Sequence, residues 1–135
     1  MPEIPSAEQL RELMPFVPTL GIELEPPTSE RAAGSLPWAP ELCTGGGIMH
    51  GGAILSLADT LGAVCAFMNL PPGAGTTTIE SKTNFFRAVR EGSVRGMARP
   101  MHVGRTTIVV QTELSDDEGR AVALTTQTQA VLGGG

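Results

Sequence analysis

Aromatic side chains are scarce in this 135-residue chain: four Phe, one Trp and no Tyr amount to 4% of it. So few flat side chains leave little with which to stack nucleic-acid bases. Basic residues are short as well, nine Lys and Arg against 14 Asp and Glu for a net charge of −5, the wrong sign for neutralising a run of phosphates. Binding to nucleic acid is therefore disfavoured. The two cysteines, Cys43 and Cys65, are too few for a disulfide framework and too far apart for a CxxC motif, so both are expected to be reduced. The two histidines, His50 and His102, belong to no ligand cluster of recognised spacing, and no metal is expected. Ser56 and Ser81 lack a GxSxG setting, which disfavours a serine nucleophile. The amino terminus, MPEIPSAEQL, has no basic region followed by an apolar run and does not read as a secretory leader; a cytoplasmic protein is expected. Only Gly51–Met68 approaches the length of a membrane span, and it carries Asp59, Ser56, Thr60 and glycines at 51, 52 and 62, so it reads as a helix buried in protein.

What is present fits a single domain spanning 1–135, with a helical region at 1–15 and a flexible glycine tail at 133–135. Ser6-Ala7-Glu8-Gln9 has the form of a capping box, followed by Leu10, Leu13 and Met14 at helical spacing, and Pro15 should end that helix. Gly21–Leu24 and Arg31–Trp38 look like short strands separated by Pro26-Pro27-Thr28-Ser29. Ala39–Met49, with Gly45-Gly46-Gly47, should be loop. The run GGAILSLADTLGAVCAFM then predicts a helix of roughly 27 Å, apolar around its axis and so covered on most sides, ending at Pro71-Pro72-Gly73. Beyond it Thr76–Arg87, Ser93–Val103, Thr106–Ser115 and Val122–Leu132 predict strands. Ile108, Val110 and Leu114 have the period-2 spacing of a half-buried strand, and Val122, Leu124 and Ala130 repeat that parity. Ser115–Arg120 is a hairpin turn whose acids do not match a calcium loop. The fold class is α+β, an antiparallel sheet wrapped around one long central helix.

Three features carry chemistry. Asp59 is a carboxylate in the middle of an otherwise uncharged apolar helix, costly to bury without partners or a role; it is the leading catalytic candidate, with a purely structural hydrogen-bonded role as the alternative. His50-Gly51-Gly52 opens the same helix, where unpaired N–H groups and the positive end of the helix dipole can polarise a carbonyl. His50 and Asp59 are nine residues apart, so on one helix they point about 180° apart and lie roughly 13 Å apart. If both serve one site, the second must come from another chain, which predicts a two-fold dimer with antiparallel helices. Finally Arg87, Arg90, Arg95, Arg99 and Arg105 fall in a segment whose only acid is Glu91, a patch of a size suited to a phosphorylated cofactor or to solvated strand faces.

Together these residues resemble a known family. His50-Gly51-Gly52 followed by Leu57-Ala58-Asp59 is similar to the HGGxxxxLAD signature of hotdog-fold acyl-CoA thioesterases of the PaaI-like branch. Asn84-Phe85-Phe86-Arg87 resembles the family's NFLR-type strand, Val103-Gly104-Arg105-Thr106 its GR turn, and Asp117-Glu118-Gly119-Arg120 its last hairpin. The resemblance covers the chain from about Trp38 to Leu132. It implies a homodimer or homotetramer with sites at the chain interface, and a hydrolase acting on aryl, phenylacetyl-type or medium-chain acyl-CoA, with CoA as substrate and no cofactor. By resemblance the Gly51 N–H polarises the thioester carbonyl with His50 shaping the loop, and Gly52 lines the substrate. Asp59 of the partner chain acts as base or nucleophile. A hydroxyl that orients water falls on Thr78 when the NFFR strand is aligned and on Thr77 when counted from Asp59. Arg87, Gly104 and Arg105 meet the CoA end, and Thr44 stands where the family often has Asn or Gln. A hotdog dehydratase or hydratase, or a non-catalytic acyl-CoA-binding module, is the alternative.

Overall fold

The computed structural model describes residues 4–134; Met1–Glu3 of the amino-terminal reading and Gly135 of the expected tail lie outside them. Helix α1, Ala7–Leu13, starts on the predicted capping box: Ser6 Oγ accepts from the Gln9 N–H and the Gln9 side chain accepts from the Ser6 N–H. A second short helix follows, α2 at Phe16–Leu20, closed by Gly21 in the left-handed conformation. The expected strand at Gly21–Leu24 is thereby cut to β1, Glu23–Leu24, because Gly21 caps a helix at a φ of 87° that few other residues would tolerate. Strand β2 runs Ala32–Pro37. Two short 3₁₀ turns, Pro40–Leu42 and Gly45–Gly47, occupy the expected loop.

The central helix α3 spans Gly51–Phe67. It is followed by β3 at Gly75–Phe85, β4 at Ser93–Val103, β5 at Thr107–Ser115 and β6 at Ala121–Leu132. All pairings are antiparallel and the sheet order is β1-β2-β4-β5-β6-β3, with α3 against its inner face. Leu61 is fully buried. It sits over Gly34 of β2 and Gly96 of β4, which pair in register; a Cβ on Gly96 would lie 2.6 Å from Leu61 Cδ1. Cys65 lies fully inside the same core, where burial pushes its thiol up to about 11.

Two expectations about burial need correction. The helix α3 is covered on most sides, as expected, but one stripe stands open: Leu55 and Phe67 are 38% and 41% exposed, and Asp59 between them is exposed too. Asp59 therefore does not carry the burial cost that drew attention to it, because it sits on that stripe. On β6 the buried face is not the one marked by Leu124 and Ala130, which are only half-buried. The pairing of β5 with β6 shifts between Leu114 and Ser115, so Val122 opposes no partner and the alternation flips there. From Ala123 onward the inward positions are Ala123, Thr125, Gln127 and Gln129, all buried.

Candidate active site

At the start of α3, His50 is the N-cap. Its Nδ1 accepts from the Gly52 N–H at 2.8 Å, and its carbonyl accepts from the Ala53 and Ile54 N–H groups. A Cβ on Gly52 would lie 2.9 Å from that Nδ1, so glycine there makes room for the capping ring. The Gly51 N–H has no acceptor among the described residues, and a Cβ on Gly51 would meet the Phe85 ring at 3.2 Å. The helix thus offers one free donor at its positive end. Thr44 lies just upstream, where its N–H bonds to the Ile48 carbonyl across the glycine turn.

Eight residues further along, about 12 Å at the helical rise, Asp59 enters a network with the end strands of the sheet. Thr78 Oγ1 donates to Asp59 Oδ1 at 2.8 Å and Gln127 Nε2 donates to the same oxygen at 3.0 Å. Gln129 Nε2 donates to Thr78 Oγ1 at 2.6 Å, and the Thr76 hydroxyl, with one proton to give, lies 2.8 Å from the Ala130 carbonyl and 3.1 Å from Gln129 Oε1. The period of two along β3 turns Thr77 to the opposite, exposed side. Thr78 and not Thr77 is therefore the residue brought to Asp59. Neither glutamine was singled out in the sequence, since polar residues in a Thr/Gln-rich strand read as solvent-facing. The signal that could have found them is a run of polar residues at one parity opposite a helix bearing Asp59.

The arginines do not form one patch within a chain. Arg87 follows β3 at the Gly51 end and, with Arg90, lines a cavity of about 620 Å³ that also contains Asp116, Asp117, Glu118 and Arg120. Arg120 is committed to Asp116 at 2.8 Å, whereas Arg87 and Arg90 enter no ion pair among the described residues. Gly104 and Arg105 lie in the β4–β5 turn at the other end of the sheet, with Gly104 N–H bonded to the Thr107 carbonyl. Arg95 is paired with Glu25 at 2.7 Å, and Arg99 Nη2 meets Met97 Sδ at 3.2 Å. His102 is exposed on β4. No group of three or more His, Cys, Asp or Glu is placed to hold a metal among the described residues. No described helix is long and apolar enough to cross a membrane.

A curved antiparallel sheet around one long helix, with an open carboxylate on that helix and a free donor at its start, is the hotdog fold. Residues 46–123 match the thioesterase superfamily, and the chain belongs to that family. It is 35% identical over 86 residues to the 1,4-dihydroxy-2-naphthoyl-CoA hydrolase of Escherichia coli, covering 64% of this chain and 63% of that one. Among solved structures, a mutant of the Pseudomonas aeruginosa thioesterase PA1618 superposes with a TM-score of 0.89 at 31% identity over 96% of both chains. The E. coli PaaI protein from the phenylacetic acid degradation operon has the same fold, at a TM-score of 0.85 and 23% identity over 96% of this chain and 92% of that one. The matched stretch is only 57% of the length of a curated relative from Vibrio cholerae.

Proposed function

We propose that this protein hydrolyses acyl-CoA thioesters, with aryl, phenylacetyl-type or medium-chain acyl groups, in a homodimer whose sites each combine two chains. The observation that carries this reading is the separation of Gly51 from Asp59. The free N–H and the open carboxylate lie about 12 Å apart on one helix, too far to serve one carbonyl, whereas antiparallel packing of two α3 stripes would bring the first of one chain to the second of the other. Exposure along the open face supports such a contact: Leu55 and Phe67 on α3, and Ile79 and Phe85 on the edge strand β3, are uncovered apolar side chains in the single chain. The same exchange would put Arg87 of one chain near Arg105 of the other, both within reach of the phosphates of one CoA.

In this mechanism the Gly51 N–H stabilises the oxyanion that forms on the thioester carbonyl. Asp59 takes the proton of an attacking water, or attacks the carbonyl itself; the C–S bond then breaks and the CoA sulfur leaves as thiolate to be protonated, and on the second route water cleaves the acyl–Asp59 anhydride to free acid and carboxylate. The step calls on water, one carboxylate and one N–H, without metal or organic cofactor. Thr78 holds Asp59 while His50 and Gly52 fix the helix start. An apolar groove of about 190 Å³ between α1 and α3, lined by Leu13, Met14, Ala63 and Phe67, begins one turn beyond Asp59 and would take the acyl end. The naphthoyl-CoA substrate in the name of the E. coli relative agrees with an aromatic occupant.

Thiol release from a panel of aryl, phenylacetyl and straight-chain acyl-CoAs tests the reading, with Asp59→Asn beside the unaltered protein. Turnover that is lost in the variant while the dimer persists supports it. A folded dimer that releases no thiol from any substrate overturns it, and an enoyl product in place of free thiol would assign the chain to the dehydratases. In a single turnover in H₂¹⁸O, label that enters the Asp59 carboxylate identifies it as the nucleophile.

A further inference from the structure

Beneath the open stripe of α3 lies a buried polar seam whose members the hydrolysis as written does not require. We propose that Gln127, with Gln129 acting through Thr78, is a positioning residue: the two amides hold Asp59 by Oδ1 and present Oδ2 to the thioester or its water. This rests on Asp59 being the working carboxylate. Three observations carry it. Both bonds to Asp59, from Thr78 Oγ1 and from Gln127 Nε2, converge on Oδ1, and none falls on Oδ2 among the described residues. A carboxylate gripped by one oxygen from two directions cannot rotate about its terminal bond, so the other oxygen has a fixed direction.

The second observation is Gly62, one turn of helix from Asp59. A Cβ there would lie within 2.0 Å of Gln127 Oε1 and 2.2 Å of its Cδ, so no side chain larger than hydrogen lets the amide pass under α3 to the carboxylate. Helix and strand are shaped around that amide. The third is that Gln127 is fully buried while its Oε1 has no partner among the described residues. For packing alone an amide with one unsatisfied end is a poor occupant, since a buried acceptor without a donor is unfavourable and a thioether of similar volume would avoid it. What the amide supplies and an apolar side chain does not is an N–H aimed at a carboxylate, a charge-assisted bond. Gln129 aims its N–H in the same way at the Thr78 hydroxyl.

The test is Gln127→Met in the full chain. The kcat for the best acyl-CoA of the panel should fall about tenfold to a hundredfold, the scale of misplacing a reacting group. KM should stay within about twofold and the Tm should equal or exceed that of the parent. An unchanged kcat, or a kcat that falls only in step with Tm, overturns the proposal. A second readout needs neither turnover nor that variant. In ¹⁵N–¹H spectra of the parent protein the Gln127 side-chain amide should lie downfield and move upfield in Asp59→Asn, where the charge is gone. An amide signal that does not move overturns the clamp. Failure of the parent to release thiol strikes at the hydrolase reading, and the amide shift still judges the clamp separately.

Discussion

The inner face of the sheet is two surfaces under one helix. Across β2, β4 and β5 it is apolar but for Thr112, with Leu36, Val94, Ala98, Ile108, Val110 and Leu114 all buried, and it receives Leu57 and Leu61 of α3. Across β6 and β3 it is polar: Thr125, Gln127 and Gln129 are equally buried but bond to Thr83, Asp59, Thr78 and Thr76. The first half has no direction, and any well-packed set of similar volume would serve. The second half is directional, each amide and hydroxyl aimed at one atom, and it lies at the edge of the sheet where α3 opens to its surroundings. On the proposed reading, stability and chemistry are divided across about 20 Å of one sheet, roughly four strand spacings, and substitutions on the two sides should separate them.

Asp59→Asn touches only the polar half and should have the largest effect on rate. A kcat lowered by about 10²- to 10⁴-fold, the usual range for a positioned base, with the thermal transition unmoved, is the expected result in parallel thiol-release and calorimetric assays. Leu61→Ala is the mirror experiment in the apolar half. It empties the recess over Gly34 and Gly96, and denaturant unfolding should show a loss of about 2–5 kcal/mol, with kcat per folded molecule retained. A Leu61→Ala protein that loses kcat while still folded would show that the two halves are coupled. Gly62→Ala sits on the boundary: its Cβ collides with Gln127, so about 1–3 kcal/mol of stability should go, and activity with it, because the amide must leave Asp59.

How much of this was legible in the sequence follows the same division. The apolar half and the helix ends were readable from local rules. Ser6 and Gln9 announced α1, His50-Gly51-Gly52 marked the start of α3, and Ser93–Val103 was bounded correctly on both sides, because capping and period-2 alternation depend on neighbours in sequence. The polar half was half legible. Asp59 stood out by its charge and Thr78 by the aligned strand, but Gln127 and Gln129 did not. Hydropathy assigns glutamine to solvent, and the irregularity at Val122, set by pairing with Leu114 and Ser115, reverses the face on which β6 residues lie. Such a shift is a property of two strands together and leaves no mark in either alone. The open stripe of α3 was hidden for a related reason: Leu55, Ala63 and Phe67 are apolar whether they meet the sheet or a second chain.

The smallest predicted effect concerns the outer face, which belongs to neither half. Arg95 on β4 reaches Glu25 beyond β1 at 2.7 Å, with side chains 53% and 42% exposed, and the pair spans β2 between them. Water screens so open a contact, and fixing two long side chains offsets part of its attraction, so Glu25→Gln should lower stability by less than about 1 kcal/mol and by less still in high salt. Its second readout is kinetic. Arg95 alternates with the inward-facing Val94 and so points away from α3, and kcat/KM for acyl-CoA should not change when its partner is neutralised. A KM that falls in Glu25→Gln would mean that the freed guanidinium attracts the CoA phosphates, which would place the CoA end of the substrate on the outer face and add Arg95 to the arginines proposed to meet it, Arg87 and Arg105.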